Sequence, residues 1–512
     1  MKAVTGEDIK KIDDYAVKAL GTDTYTLMGH AGNAVASTVR EHLADGCALF
    51  LAGAGNNGGD AYAAAVSLIK EGFSAIVFDV TGKGQKSDAG KRYLAEYEAL
   101  LLEKPKGIAE LADCLPGASA VIDGVFGAGF HGSLPSDIAE LLTLASKSGK
   151  RRIAIDIPSG VDASTGEVSE GAFVADITVA LSFHKRGAYI APARLHCGKI
   201  VYSDIGFDTE AVAAHFGFCD NVMDEALACQ LLPERKQNTS KGDFGRALIL
   251  AGSEAYRGAP LLATEAASRM GSGYTALFSE KAVTDAAVLR QPSLIVKSTS
   301  DLSRPAILRE INAMRPSALL IGCGSGISEA LYEDIGALLE ASGCPLVLDA
   351  DALGSLALFP EEAAVRLSRA RREVLLTPHP LEFSRLSGIP VGEVQAHRYL
   401  SLLKYQEKCK VNITLKGFCT MTATTGGEVF INTSGGSALA KAGTGDVLAG
   451  AITGLTASGM TLGKAAALAS YLHGKAGDAL AEKHSDFGVI AEDLPRAMAR
   501  EIAVIQKKKE QR

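Results

Sequence analysis

The chain has 512 residues, a net charge of −7 and a hydrophobic content of 47%. Because one hydrophobic core rarely organises more than about 250 to 300 residues, the length predicts two domains. The acidic balance argues against a nucleic-acid surface, and no apolar run approaches the roughly 20 residues of a membrane span. The 9 scattered cysteines lack CxxC or metal-type spacing, which predicts a reduced, cytoplasmic protein.

Short apolar runs alternate with helical patterns through the first half of the chain: CALFLAG, SAIVFDV, SAVIDGVFG, RRIAIDIPSG and DITVALSF. This alternation predicts a parallel sheet covered on both faces, in a three-layer Rossmann-like α/β domain. Ligands of such sheets bind beyond the carboxyl ends of the strands. Several polar residues follow those ends, namely Asn56, Asn57, Asp60, Asp123, Asp156 and Ser159. Each alone could cap a helix or form a turn, but their convergence at one edge favours a site.

The glycine-rich segment GAGNNGGD, Gly53 to Asp60, opens a helical pattern and presents backbone N–H groups to an anion. It matches GxGxxG, and Asp79 lies near the offset of a dehydrogenase ribose ligand. However, the Asp60 carboxylate would repel a pyrophosphate bound at this loop. A second glycine loop spans Val125 to Ser133. We therefore expect a site that holds a whole nucleotide beside an acidic group.

GAGNNGGD, VIDGVFGAG and DIPSGVDASTG together resemble the epimerase domain of bifunctional NAD(P)H-hydrate repair enzymes, over about residues 5 to 212. The resemblance implies a first domain at residues 1–214, a potassium ion held by Asn57, Asp123 and Ser159, and catalysis by Asp156. A carboxylate among neutral oxygens suits a monovalent cation. The hydrated dinucleotide would contact Asn56, Asn57, Gly58, Gly59, Asp60, Gly127, Ala128, Gly129, Phe130, His131, Gly132, Ser133 and Asp156. His30 departs from the family, which more often has an acidic or amide residue there.

A second α/β unit is predicted after the charged segment Glu234 to Gly245, from the runs ALILAGS, SALLIG, PLVLDADAL, EVLLTPHP and VNITLKG. A hairpin with its turn at TTGG should follow. The loop Lys441 to Asp446 then precedes an apolar helical run. Its glycines expose N–H groups that can bind developing negative charge, and Asp446 can act as a base beside them. This GxGD pattern is typical of the ribokinase-like anion hole, although a capping aspartate is the alternative.

KGDFGRALILAGSEAYRGAP, LDADAL, TPHPLEFSRL, LKGFCT and AGTGDVLAGAITGL, over residues 240 to 456, are similar to the ADP/ATP-dependent dehydratase domain of the same family. The resemblance implies a second domain at residues 221–512 with Asp446 as its catalytic residue. The hydrate would contact Ala259, Gly324, His379 and Asp446. The adenine nucleotide, bound together with Mg²⁺, would contact Lys416, Gly417, Phe418, Cys419, Thr420 and Gly445. The chain departs from the family at Cys323, where a proline is usual, at Leu381, where glycine is common, and at Ser437 to Leu439.

Both halves together imply repair of hydrated nicotinamide nucleotides, NADHX and NADPHX. The first domain would interconvert the R and S epimers at C6, and the second would remove water from the S epimer at the expense of ADP or ATP. Phosphorylation turns the hydroxyl into a good leaving group, and Asp446 takes its proton. We expect a homo-oligomer with no nucleic-acid or membrane partner. Two alternatives stay open: a ribokinase-type small-molecule kinase fused to a Rossmann-like module, and a first half that binds nucleotides without catalysis.

Overall fold

The computed structural model describes residues 1–43, 46–101, 105–206, 208–299, 304–341 and 343–511. The chain divides into two compact units, Lys2–Asp220 and Asn221–Arg512, and Met1 belongs to the second. No helix in these ranges is long and apolar enough to cross a lipid bilayer.

The first unit is an α/β domain. Its strands are β1 (Ala3–Val4), β2 (Cys47–Ala52), β3 (Ala75–Asp79), β4 (Ala118–Gly124), β5 (Arg151–Ile155), β6 (Ile177–Leu181), β7 (His184–Lys185) and β8 (Lys199–Ser203). Its helices are α1 (Gly6–Lys18), α2 (Thr24–Arg40), α3 (Asn56–Lys70), α4 (Asp88–Leu101), α5 (Leu111–Cys114), α6 (Ser136–Ser146) and α7 (Thr209–Phe216). Helix α7 crosses residue 214, the predicted end of this domain, so the unit extends to Asp220.

The main sheet of the first unit has the order β3-β2-β4-β5-β6-β8, and every neighbouring pair is parallel. Successive residues of β2 face opposite sides, so Leu49 and Phe50 enter different apolar clusters. One cluster includes Tyr62 from α3 and the other Leu142 from α6. Helices therefore cover both faces of the sheet. The predicted three-layer Rossmann-like fold is confirmed.

The second unit is a larger α/β domain. Its strands are β9 (Asp220–Met223), β10 (Arg246–Leu250), β11 (Tyr274–Glu280), β12 (Ile295–Thr299), β13 (Ala318–Ile321), β14 (Leu346–Leu348), β15 (Val374–Leu376), β16 (Asn412–Leu415), β17 (Met421–Ala423) and β18 (Val429–Asn432). Its helices are α8 (Glu225–Leu231), α9 (Gly258–Arg269), α10 (Lys281–Arg290), α11 (Arg304–Met314), α12 (Glu329–Glu340), α13 (Asp351–Leu356), α14 (Pro360–Ser368), α15 (Pro380–Ser387), α16 (Val391–Ala396), α17 (Arg398–Cys409), α18 (Thr444–Ala457), α19 (Leu462–Gly488) and α20 (Leu494–Glu510).

The sheet of the second unit runs β12-β11-β10-β13-β14-β15-β16-β17-β18-β9. Pairs from β12 to β16 are parallel, and β16, β17 and β18 pair antiparallel, which confirms the predicted hairpin. Helix α18 packs closely on α9, because a Cβ at Gly450 would lie only 2.1 Å from the Ala263 carbonyl oxygen. The predicted ribokinase-like α/β fold of this half is confirmed. The packing also fixes the start of α18, which carries Asp446.

Candidate active sites

The first site lies where adjacent strands β2, β4 and β5 end. Asp123, in β4, is fully buried and accepts hydrogen bonds from Ser159 N (2.7 Å), Ser159 Oγ (2.6 Å) and Val125 N (3.2 Å). Asn57 Nδ2 donates to the Phe126 carbonyl at 3.0 Å, and Phe126 N donates to Ser159 Oγ at 2.8 Å. The structure thus brings the three predicted potassium ligands together around the Phe126 backbone.

This cluster fits a monovalent cation. Burial raises the pKa of Asp123 to about 6, although the hydrogen bonds from Ser159 and Val125 act to lower it. No cationic side chain among the described residues offsets the charge of this carboxylate. A Cβ added at Gly127 would lie 3.3 Å from Asn57 Oδ1, so this amide oxygen faces the second glycine loop. One carboxylate with amide, hydroxyl and carbonyl oxygens is a hard donor set of low charge. The assignment of potassium to these residues stays a prediction.

An acid cluster adjoins these residues at the end of β5. Asp156 has a left-handed backbone, with φ of 68°, and its carboxylate is ion-paired with the buried Lys185. Asp60 lies near the start of α3, in the segment GAGNNGGD, where a Cβ at Gly58 would overlap the Gly53 carbonyl oxygen at 1.8 Å. Burial, reinforced by the negative charges of Asp156 and Asp13, raises the pKa of Asp60 well above its ordinary value. The sequence analysis missed Asp13 and Lys185.

The second glycine loop, residues 127–133, forms the rim of the same sheet edge. Phe126 and Phe130 have ring centroids 5.4 Å apart, and His131 Nδ1 lies 2.9 Å from Asp162 Oδ2. Residue His131 is exposed, which leaves its ring accessible to a ligand. Elsewhere, Asp79 accepts hydrogen bonds from the Thr81, Gly82 and Gly84 backbone, so its carboxylate is committed to its own loop. This accounts for Asp79 without a ribose ligand.

The second site centres on Asp446 in the first turn of α18. Gly443, which precedes this helix, adopts φ of 87°, and the first-turn N–H groups of Gly445 and Asp446 have no partner within the helix. Burial and the negative charge of Asp349 raise the pKa of Asp446 to about 6, although a hydrogen bond with Cys323 opposes this rise. Cys323 is fully buried, so a thiol contacts the carboxylate where the family usually has proline. Two N–H groups without a partner in the helix and a carboxylate of raised pKa thus lie together in the first turn of α18.

Lys416 supplies positive charge beside this loop. Its Nζ donates to Asp349 Oδ1 at 2.7 Å, and a Cβ added at Gly445 would lie 3.4 Å from Nζ. Burial lowers the pKa of Lys416, but the negative charges of Asp349 and Glu382 outweigh this effect and raise the pKa above its ordinary value. The lysine therefore stays cationic against the anion hole. The sequence analysis quoted LDADAL but did not assign a role to Asp349, which holds this lysine in place.

A cavity of about 460 Å³ opens beside Lys416 and Gly445. Every residue predicted to bind the adenine nucleotide lines it: Lys416, Gly417, Phe418, Cys419, Thr420 and Gly445. Behind the loop, the buried Arg398 donates to the Lys416 carbonyl at 3.1 Å. His473 also lines the cavity, and burial lowers its pKa to about 4. These two side chains were not predicted, because neither belongs to a recognisable glycine loop.

The predicted hydrate contacts occupy two places near Asp446. A Cβ added at Gly324 would lie 3.3 Å from the Ala259 Cβ and 2.8 Å from the Tyr256 Cβ, so these residues are neighbours. His379 caps α15, since its Nδ1 accepts a hydrogen bond from Leu381 N at 3.2 Å. Burial and the positive charge of Lys416 lower the pKa of His379. Its capping role is compatible with a ligand contact through the rest of the exposed ring.

Within residues 1–43, 46–101, 105–206, 208–299, 304–341 and 343–511, no group of three or more His, Cys, Asp or Glu side chains could hold a metal ion. Mg²⁺ in nucleotide sites is commonly bound by substrate phosphates and one or two carboxylates, with several waters retained. Mg²⁺ bound together with the nucleotide stays a prediction for the second site.

Two α/β domains with separate anion-binding loops, each beside a reactive carboxylate, define an enzyme with two nucleotide-handling sites. A family model described as NAD(P)H-hydrate dehydratase matches residues 247–500, and one described as YjeF-related protein N-terminus matches residues 24–187. The bifunctional NAD(P)H-hydrate repair enzyme of Moorella thermoacetica is 31% identical over 511 residues, with 96% of this chain and 95% of that protein covered. The protein of the same name from Vibrio cholerae is 32% identical over 495 residues, with 96% of each covered.

The chain belongs to the family of bifunctional NAD(P)H-hydrate repair enzymes. The predicted family, with its epimerase and dehydratase, is confirmed, and the reading as a fused small-molecule kinase is disfavoured. Among solved structures, the ADP/ATP-dependent NAD(P)H-hydrate dehydratase of Bacillus subtilis, co-crystallised with ATP and Mg²⁺, is 29% identical. It matches 56% of this chain and 98% of its own, with a TM-score of 0.48.

Proposed function

We propose that this chain restores NADH and NADPH from their hydrates, with the epimerase activity in residues 1–214 and the dehydratase activity in residues 221–512. The observation that supports this division is the presence of a separate reactive carboxylate in each unit, Asp156 beside Lys185 and Asp446 beside the anion hole. The substrates are NADHX and NADPHX, and the co-substrate is ADP or ATP. Assembly as a homo-oligomer in the cytoplasm stays a prediction.

In the second unit, the chemistry begins with transfer of phosphate to the C6 hydroxyl of the S hydrate. The N–H groups of Gly445 and Asp446 and the Lys416 ammonium stabilise the negative charge of the transferring phosphoryl group. Asp446 takes the hydroxyl proton. Mg²⁺ bound together with the nucleotide would supply further charge neutralisation beside Lys416. Phosphate then leaves C6 with the C6–O electron pair while C5 loses a proton, and the C5=C6 bond of the dihydronicotinamide forms.

In the first unit, potassium would neutralise the buried carboxylate of Asp123, with Asn57 and Ser159 completing the oxygen ligands. Because Ser159 and Phe126 link this cluster to both glycine loops, the cation would fix the loops that hold the dinucleotide. Asp156, held by Lys185, would exchange protons with the hydrated ring. The cation thus orders the site and does not react.

The test of the two-site assignment uses a mixed pool of R and S hydrates and the full chain. We expect complete recovery of the dihydronicotinamide absorbance with ADP or ATP. The variant Asp156→Ala should show a rapid phase equal to the S fraction, followed by a stall at the slow rate of spontaneous epimerisation. Asp88→Asn, a change of an exposed carboxylate on α4, is the matched control and should repair the whole pool. Complete rapid repair by Asp156→Ala would contradict the assignment.

The dehydration rate should depend on the protonation of Asp446. A general base acts in its unprotonated form, and burial raises the pKa of this carboxyl to about 6. On pure S hydrate at saturating nucleotide, kcat should therefore be constant well above pH 6 and fall about tenfold per pH unit well below it. A kcat that stays constant down to about pH 4, the ordinary range of aspartate, would argue against Asp446 as the base.

A further inference from the structure

Asp156 and Lys185 form an ion pair whose geometry uses every donor of the lysine. The Lys185 side chain is only 2% exposed, and its Nζ donates to the Leu181 carbonyl at 2.7 Å and the Phe183 carbonyl at 3.1 Å. Its third proton is directed to the Asp156 carboxylate. Leu181 N donates to the same carboxylate oxygen at 3.3 Å. This arrangement places a buried positive charge against Asp156 and fixes the direction of its carboxylate.

Asp60 lies in the opposite electrostatic environment. Its carboxyl makes no hydrogen bond or ion pair with the described part of the chain, although it is enclosed enough for burial to dominate its titration. The charged groups that face it are Asp156 from the end of β5, Asp13 from α1 and Lys185 from β7. Two of these three are negative, so a proton on Asp60 is favoured. One cluster therefore holds a carboxylate paired with a buried lysine beside a carboxyl group that has a raised pKa and no partner among the described residues, and such unlike environments divide acid from base work in other enzymes.

We propose that Asp60 is the general acid and Asp156 the general base of epimerisation, and that Lys185 is the positioning residue that holds Asp156. This inference rests on the proposed epimerase function of the first unit. It adds a second catalytic group to that site, since the resemblance assigned Asp60 to substrate contact alone. Asp60 lies near the start of α3, in the segment Asn56 to Asp60 that is predicted to contact the hydrated dinucleotide, and this predicted contact is the one that would bring it to the reacting ring.

The chemistry follows from the hemiaminal carbon of the substrate, since C6 bears both a hydroxyl group and the ring nitrogen N1. Asp156 takes the hydroxyl proton, the C6–N1 bond breaks as C6=O forms, and the electron pair left on N1 takes the proton of Asp60. Rotation about C5–C6 turns the other face of the aldehyde toward N1. When N1 attacks C6 again, its proton returns to Asp60 and the oxygen recovers its proton from Asp156. Both carboxyl groups are restored, and neither water nor a redox partner is consumed.

The test starts from pure R hydrate and uses the full chain with ADP or ATP, so that recovery of the dihydronicotinamide reports epimerisation. Asp60→Asn should lower kcat by about 10²- to 10⁴-fold, the usual contribution of an acid or base, with KM within about twofold of the parent. The parent rate should fall at high pH as Asp60 loses its proton, and the variant should lack this fall. Dehydration of pure S hydrate by the same variant should match the parent.

Lys185→Met and Lys185→Arg test the positioning role. Lys185→Met removes the positive charge that faces Asp156, so the low-pH limit of epimerisation should move upward in this variant. Lys185→Arg should restore most of the parent profile. An unshifted low-pH limit in Lys185→Met would overturn this role, because a merely structural lysine would change the rate and leave the profile unmoved.

Two results would overturn the acid–base proposal. One is a parental kcat and pH profile in Asp60→Asn, with Asp88→Asn as the matched control. The other result would come from epimerisation in ¹⁸O-labelled water by the Asp446→Asn chain, which does not consume the S hydrate. Ring opening at C6–N1 retains the original hydroxyl oxygen. Incorporation of one labelled oxygen per turnover would therefore exclude ring opening. If the parent chain fails to convert R hydrate faster than buffer, the proposed function itself fails, which is a separate result.

Discussion

The full-length variant Asp446→Asn should lose dehydration of the S hydrate by about 10²- to 10⁴-fold, the range expected when a general base is removed. Asparagine keeps the volume of the side chain and its contact with Cys323, but it cannot accept the hydroxyl proton. Epimerisation should stay at the parental rate, because Asp156 and Lys185 belong to the other unit. Chromatographic separation of the R and S hydrates measures that rate without dehydration.

Asp285→Asn is the matched control for this prediction. Asp285 is an exposed carboxylate on α10 of the same unit, paired with Lys281, and its loss should leave dehydration unchanged. Nucleotide binding to Asp446→Asn should also persist, since Lys416 and the cavity residues are intact. Parental dehydration by Asp446→Asn would remove the carboxylate from the mechanism. Loss of both activities together would contradict the assignment of the two reactions to separate sites.

The fold was predictable where the sequence has buried strands. Runs such as CALFLAG and EVLLTPHP are apolar on both faces, so they identify central strands β2 and β15 without further information. The edge strands β8 and β12 lack this signal. Strand β8 is only partly buried and β12 is largely exposed, and both pair with a single neighbour, so their sequences contain polar residues typical of loops. Their place in the sheets depends on pairing, which no local pattern reveals.

The sites were predictable where a motif fixes the backbone. Glycine loops gave the positions of Asp60 and Asp446, and strand ends gave Asp123 and Asp156. Lys185 lies in a short strand outside any motif, and its importance arises only when folding places it against Asp156. Asp349 likewise gains its role from Lys416, which lies 67 residues away in sequence. Partners that act through space leave no spacing pattern, so only the structure identifies them.

Potassium should stabilise the first unit through Asp123, and Asp123→Asn should abolish this response. Burial raises the pKa of Asp123 from 3.8 to about 6. Because the pKa of Asp123 is higher in the folded state than in the unfolded state, ionisation of this carboxyl lowers the free energy of unfolding. The loss grows as the pH rises from 3.8 through 6, and near neutral pH it reaches about 3 kcal/mol. A bound cation offsets this cost, so saturating K⁺ should raise the melting temperature of the parent relative to a large organic cation such as choline.

In Asp123→Asn the charge is absent, so no comparable cost exists for the cation to offset. The amide accepts fewer of the hydrogen bonds from Ser159 N and Val125 N, which costs roughly 1–3 kcal/mol of stability. In potassium-free buffer this loss nearly cancels the stability gained by removing the buried charge. We therefore expect a melting temperature close to that of the potassium-free parent, insensitive to K⁺, together with loss of epimerisation. Asp88→Asn should keep the full potassium response. An unchanged response in Asp123→Asn would show that the cation binds elsewhere, since this buried carboxylate is the negative charge that the site offers it.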